Sequence, residues 1–480
     1  MADAGPGRPG PPVTSRPPGA ASLDRAIRLP HATALVVGTI IGVSIFVQPA
    51  EVTGQIPSVG GALLVWVVAG VLTLFGAIVT AELASLIDDT GGVYVFLREA
   101  FSPLLGFLWG WAMFWTMHTG IIAAISVAFA RYIGWFLPLD DFGLRLVAVA
   151  AIAALSWLNY AGVRQGTRVQ TAITVIKVGA IGLMVAAALA LGPAGDPGAT
   201  ALGGASNTAA GAAAAGAGAG AGGLLGGGTF GHFLSAVAAG LFAFGGWHMV
   251  TYSAGETIDP KRTIPRSLLI GIGIVTAAYV LLNLAYFYVL PLETAMSSER
   301  IAADAADAVL GGGGAAFMAG LVIVSSFGGL TGIILAGPRV YQAMAADGLF
   351  LRWAAEIHPA RRTPHRAIFL QAIWASVLVM TASYRTLFTL VIYTEWIFFG
   401  LMAIGLLLLR RRVAPDTPLV ARWAWPWAPF VFAVCAFAIA ANAIVADPRD
   451  GALGLGLVII GAPVYWLATR GGAKPGDSHS

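Results

Sequence analysis

Charge is what this chain has least of. Lys, Arg, Asp and Glu together make up 10% of its 480 residues, against roughly 25% in an ordinary soluble domain. That density cannot cover a water-exposed surface, which excludes a soluble globular protein. Cysteine is scarcer still: the one residue, Cys435, lies inside an apolar run, so neither an intrachain disulfide nor a cysteine-based metal site can form. A P-loop, paired metal-ligand motifs and a nucleophile set beside a base are missing as well. Enzymatic chemistry, an ATP-driven pump and a bound cofactor or metal are therefore not expected. The first residues are rich in Pro and Gly and carry no signal-peptide core, so 1–28 reads as a disordered tail and 471–480 as a second one.

Apolar residues fill the space that charge leaves, at 58% of the chain. They gather in runs such as 63–81, 146–158, 270–290, 367–380, 396–409 and 430–445. Several approach the roughly 17–25 residues that a helix needs to cross the hydrocarbon core. They must be helices, because an open sheet in lipid would strand its backbone polar groups. The expected fold class is thus an all-α integral membrane protein with about twelve spans: 29–50, 61–86, 104–137, 143–160, 169–191, 232–254, 265–290, 314–343, 366–383, 387–409, 423–445 and 451–468.

A formal charge of +4 and a pI near 9.3 would suit an anionic partner. The placement of the basic residues argues for topology instead. Of the 27 Lys and Arg residues, Arg131, Arg145, Arg300, Arg385 and Arg449 fall on one side and Lys177 falls inside a span. The rest lie on the side of the two termini, which sets both termini in the cytoplasm. Between the fifth and sixth spans, 192–228 is a Gly/Ala-rich segment without Lys or Arg, read as a flexible extracellular linker.

Two spans look wrong for plain bilayer helices. The first carries Gly38, Gly42 and Ser44 within GTIIGVSIF, and the sixth carries Gly240, Gly245 and Gly246 within GLFAFGGWH. Glycine costs about 1 kcal/mol relative to alanine inside a helix. Close helix packing through small residues is one reading of each cluster. Their recurrence five spans apart favours the other: interrupted helices in matching places of two halves, which mark the site of an inverted-repeat transporter.

At these residues the chain resembles a known family. GTIIGVSIFVQP at 38–49, TAEL at 80–83, TGG at 90–92, GTRVQ at 166–170 followed by Lys177, FAFGGW at 242–247 and NLAYF at 283–287 are similar to the L-type amino acid transporters of the amino acid–polyamine–organocation superfamily. SSE at 297–299, HP at 358–359 and GAPVYW at 461–466 extend the resemblance over 29–470. It implies a bacterial-type permease of the inner membrane. The implied fold is a five-plus-five inverted repeat, 29–191 and 229–410, with discontinuous helices one and six and two added helices at 423–468. The implied activity is amino acid transport by alternating access, as sodium-independent exchange or proton-coupled uptake. A polyamine or organic cation carrier and a non-transporting sensor are the competing readings. Apart from substrate and bilayer no obligatory partner chain is expected, as monomer or homodimer, and nothing suggests nucleic acid.

The resemblance also implies site residues. A substrate would lie against Ile40, Gly42, Val43, Ser44 and Ile45 of span one and Phe242, Ala243, Phe244, Gly245, Gly246 and Trp247 of span six. Freed amides near Val43, Ser44 and Ile45 would hold its carboxylate, and the carbonyls of Ile40, Phe242 and Gly245 its ammonium. Phe242 would gate the site. Lys177, a lone amine in an apolar span, would stand where related transporters hold sodium and would bridge spans one and eight, with Ser325 or Ser326 as its partner. Where the family usually has Gly-Ser-Gly, this chain has Gly42-Val43-Ser44, which changes pocket volume but not the backbone amides. Glu82 and Glu256, near the cytoplasmic ends of spans, suit gate or ion-pair roles more than protonation. Glu395 sits deeper, where a proton site is conceivable. His248 suits either substrate tuning or structure, and His118 suits structure.

Overall fold

The apolar runs fold as helices: among the described residues the only β contact is an isolated parallel bridge between Ile27 and Thr257. The computed structural model describes residues 23–470 apart from 88, 192–228, 299, 382–383, 415 and 447. The Gly/Ala-rich segment and most of both expected tails therefore lie outside the described residues. Residues 23–28, expected as tail, are packed against the protein, with Ile27 wholly buried.

Span one is α1 (Leu29–Ile40), a turn at Ser44–Phe46 and α2 (Gln48–Gln55). Span two is α3 (Val59–Leu86), started by the Ser58 hydroxyl, which accepts the Gly61 amide at 3.1 Å. After the short α4 (Val93–Ala100), span three is α5 (Pro103–Ala112) and α6 (His118–Ile133), joined by one π-helical stretch, Met113–Met117. The even apolarity of 104–137 gives no hint of that stretch. Spans four and five are α7 (Asp141–Ala161), capped by Asp140, and α8 (Val163–Leu191).

The second half repeats this order. Span six is α9 (Thr229–Ala243), a break, and a 3₁₀ segment at Trp247–Glu256. Span seven is α10 (Pro260–Val289). The short α11 (Leu292–Ser297) and α12 (Ile301–Leu310) lead to span eight, α13 (Gly314–Ala346). Spans nine to twelve are α14 (His365–Thr381), α15 (Tyr384–Arg410), α16 (Trp427–Ala446) and α17 (Pro448–Arg470). Nine of these segments are long and apolar enough to cross a bilayer on their own. The broken first span, α14 and α15 complete the twelve.

The broken spans form the centre. α1 packs against α8, α10 and α13, and α9 packs against α3. Close approach needs small residues: a Cβ on Gly271 of α10 would come within 2.6 Å of Val36. The outer helices present apolar faces to lipid. In α8, Val175, Ile176, Leu183 and Leu189 are exposed while Gln170, Thr174 and Lys177 are buried on the opposite side. That helix is amphipathic in the membrane sense, with its polar groups turned toward α1.

Candidate functional site

Both breaks leave backbone groups without helical partners. In span one, Ile41 still donates to Val37, and Phe46 and Val47 bond back to Val43 and Ser44. Between them, the amides of Gly42, Val43, Ser44 and Ile45 donate to no backbone carbonyl among the described residues. In span six the amides of Gly246, Trp247 and His248 are in the same position. Gly246 has φ +95°, in the left-handed region, and packs so closely on span one that an added Cβ would lie 3.3 Å from the Thr39 carbonyl oxygen. The Thr39 hydroxyl reaches Gly246 O at 3.3 Å. The two breaks thus touch each other.

Tyr279 of α10 ties them together. Its buried hydroxyl lies 3.0 Å from Ile40 O and 2.9 Å from Ala243 O, the last carbonyls of α1 and α9. One hydroxyl proton serves two orphaned acceptors. Nothing in the sequence marks this residue: a tyrosine in an apolar span reads as packing.

Lys177 completes the support of span one. Its Nζ donates to Gly38 O at 2.9 Å and Ile41 O at 2.6 Å. Ser325 of α13 reaches the same turn, 3.4 Å from Ile41 O and 3.3 Å from Gly42 O. Ser326 does not: its hydroxyl is buried without a partner. Residue 328 is glycine, where a Cβ would clash with Ile173 Cγ2 and stand 2.8 Å from Lys177 Cε and 3.1 Å from Nζ. Sequence reasoning missed Gly328 because a glycine in a small-residue helix carries no distinguishing signal.

Next to the breaks lies a cavity with about 40 Å³ of space for water centres. A few waters need that much. Of the expected substrate residues, Ile40, Gly42, Ser44, Phe242, Gly245, Gly246 and Trp247 line it. Val43, Ile45, Ala243 and Phe244 are buried behind it, and the Phe244 ring packs on Tyr279 at 4.9 Å and Trp66 at 6.4 Å. The Phe242 carbonyl accepts the Gly245 amide, and the Ile40 carbonyl the Tyr279 hydroxyl. Each keeps a second lone pair. Spans three, eight and ten contribute walls absent from the expected set, among them Ile125, Ile333 and Phe399. Glu395 also lines it.

The other ionisable groups fall into place around this centre. His118 is buried with Nε2 2.8 Å from Ile333 O, a structural contact between spans three and eight. His248 is buried among aromatic rings, with Nε2 3.9 Å from Glu395 Oε1. Glu82 pairs with Arg410 and accepts the Val420 amide at 2.8 Å. Glu256 and Arg339 form a fully buried two-bond pair at 2.8 and 2.9 Å. The Glu256 carbonyl also accepts the amides of Ala26 and Ile27, each at 2.9 Å. At the end that carries both described ends, span six is therefore tied to span eight and to the N-terminal segment. Among the described residues no cluster of potential metal ligands occurs.

A sequence profile described as Amino acid permease matches residues 27–467. The chain belongs to the amino acid permease family. The permease is 30% identical over 467 residues to the Large neutral amino acids transporter small subunit 2 of Rattus norvegicus, covering 95% of this chain and 83% of that one. It is 29% identical to the Asc-type amino acid transporter 1 of Mus musculus, with 95% and 84% covered. With the Cystine/glutamate transporter of Homo sapiens it shares 28%, over 96% and 88%. The L-type resemblance carried by GTIIGVSIF and FAFGGW is borne out, and the permease is a multi-pass membrane transporter, not an enzyme.

Proposed function

We propose that the permease is a sodium-independent exchanger of α-amino acids that binds its substrate at the paired breaks. The observation that carries this reading is the run of unpartnered amides at Gly42–Ile45 beside the cavity. A carboxylate there meets N–H donors at the start of a half-helix, where the local dipole favours negative charge. An ammonium has the remaining lone pairs of the Ile40 and Phe242 carbonyls. Lys177 supports the sodium-independent part, since its amine occupies the junction of spans one and eight. Phe242, on the cavity wall, is proposed as the gate.

The test uses purified protein. An α-amino acid should raise its melting temperature, whereas the methyl ester and the decarboxylated amine should not. Equal stabilisation by the amine would transfer the reading to a polyamine carrier. In proteoliposomes, uptake should rise with trans substrate and be unchanged when choline replaces external sodium. A large loss in choline would overturn sodium independence. Proton-coupled import is the second reading, favoured by Glu395 on the cavity wall. Uptake driven by a pH gradient without trans substrate would establish it.

Two further points belong to this proposal. The basic excess on the side of both described ends supports a cytoplasmic location for them, in a bacterial-type inner membrane. The order of helices supports a transporter built of repeats 29–191 and 229–410 with added helices in 423–468, and the proposal extends to transport without an obligatory partner chain. The Rattus norvegicus relative is named as a small subunit, so transport by the purified chain alone is the decisive measurement.

A further inference from the structure

The cavity wall is apolar, glycine or neutral polar except at one point. Among the described residues, Glu395 of α15 is the only ionisable one that lines it. Its side chain is 13% exposed, and among the described residues no Lys or Arg nitrogen lies within 4 Å. The basic group nearby is His248, whose Nε2 stands 3.9 Å from Glu395 Oε1, too far for a hydrogen bond. The imidazole is enclosed by Trp109, Trp247, Tyr252 and Phe399, and its Nδ1 has no partner. Lys177 is committed to the carbonyls of Gly38 and Ile41. The carboxyl group therefore faces a water-sized space at membrane depth without a cationic partner from the protein. Such groups are expensive in that setting and point to a ligand or a proton that completes them.

We propose that Glu395 is the side-chain subsite of the permease and selects α-amino acids with a basic side chain, an ammonium or a guanidinium. The proposal rests on the reading of the breaks as the backbone-binding site. The amides and carbonyls of spans one and six would hold the part common to all amino acids, and Glu395 would hold what distinguishes them. A cationic side chain supplies the missing charge through a charge-assisted hydrogen bond. The Phe242, Trp396 and Phe399 side chains, which share the cavity wall, offer the apolar and cation–π surface that suits the stem and head of such a side chain. A neutral side chain of the same shape leaves the carboxyl group unmatched, and an acidic one adds repulsion.

Near-isosteric pairs test this: arginine against citrulline, and lysine against norleucine. Equilibrium binding of each to the purified full chain is measured by competition against a labelled amino acid, for the parent, Glu395→Gln and Glu395→Asp. The parent should prefer the basic member by at least about tenfold. Glu395→Gln should bring each ratio close to one, with arginine and lysine losing affinity relative to citrulline and norleucine. Glu395→Asp, which keeps the charge, should retain a preference and supports the assignment if the glutamine variant folds poorly. Equal parental affinities within each pair would overturn the subsite and leave the backbone site standing. A preference that survives in Glu395→Gln would overturn it too. If instead Glu395→Gln keeps parental binding ratios and loses only uptake driven by a pH gradient, Glu395 is a proton site and the proposal falls. Binding of none of the amino acids would sink both this proposal and the exchanger reading.

Discussion

A buried amine on carbonyl oxygens and a glycine that makes room for it form one device at residue scale. Lys177→Ala removes two hydrogen bonds to span one and also a costly buried polar group, so fold and mobility should separate. The variant should be monodisperse with a melting temperature near that of the parent, yet lose about tenfold or more of its uptake, equivalent to roughly 1.4 kcal/mol of barrier. Parental uptake at matched density would remove Lys177 from the mechanism. Gly328→Ala should lower uptake with the lysine still present, because the new methyl meets Ile173 Cγ2 as well as Lys177 Cε and Nζ. Tyr279→Phe takes a different donor away, from Ile40 O and Ala243 O together. It should cost about 1–3 kcal/mol, the penalty for unsatisfied buried acceptors, read as a lower melting temperature that substrate only partly restores. Lys177 was legible because a charge in an apolar run stands out. Tyr279 and Gly328 were not, since a sequence does not show which atom a tyrosine hydroxyl reaches or which neighbour a glycine spares.

At the scale of elements, spans one and six are held broken by backbone geometry as well as by these side chains. Gly246 adopts φ +95° and rests on Thr39. Gly246→Ala asks a residue with a Cβ to keep that conformation against a backbone neighbour, which should cost about 1–3 kcal/mol. Thermal denaturation should show the loss, and amino acid binding should weaken with it. An unchanged melting temperature would mean that the break relaxes without harm. The spans themselves were legible because lipid demands long apolar helices, and the breaks because glycine clusters recur five spans apart. The π-helical stretch Met113–Met117 and the packed segment 23–28 were not. The first hides in even apolarity, and the second is ordered by a few amides and one buried isoleucine in a stretch whose composition reads as tail.

On the scale of the whole molecule, the two halves of an alternating-access permease must move against each other, and the Glu256–Arg339 pair ties span six to span eight at one end. Both side chains are wholly buried. Glu256→Gln leaves the guanidinium without a counter-charge and should cost about 3–5 kcal/mol, seen as a large fall in melting temperature. Glu256→Met combined with Arg339→Met should recover much of it, since an apolar pair leaves no charge uncompensated. A double variant as unstable as the single one would show that the carboxylate supports the fold by other means. Glu256 has a second attachment: its carbonyl receives the amides of Ala26 and Ile27, and Ile258 donates back to Ile27. The short parallel ribbon and the ion pair therefore meet on one residue and behave as a bolt with a single keeper. Displacing Glu256 would disturb the tie to span eight and the tie to residues 26–27 together. A pull on residues 26–27 is thus transmitted to the residue that carries the ion pair, away from the cavity.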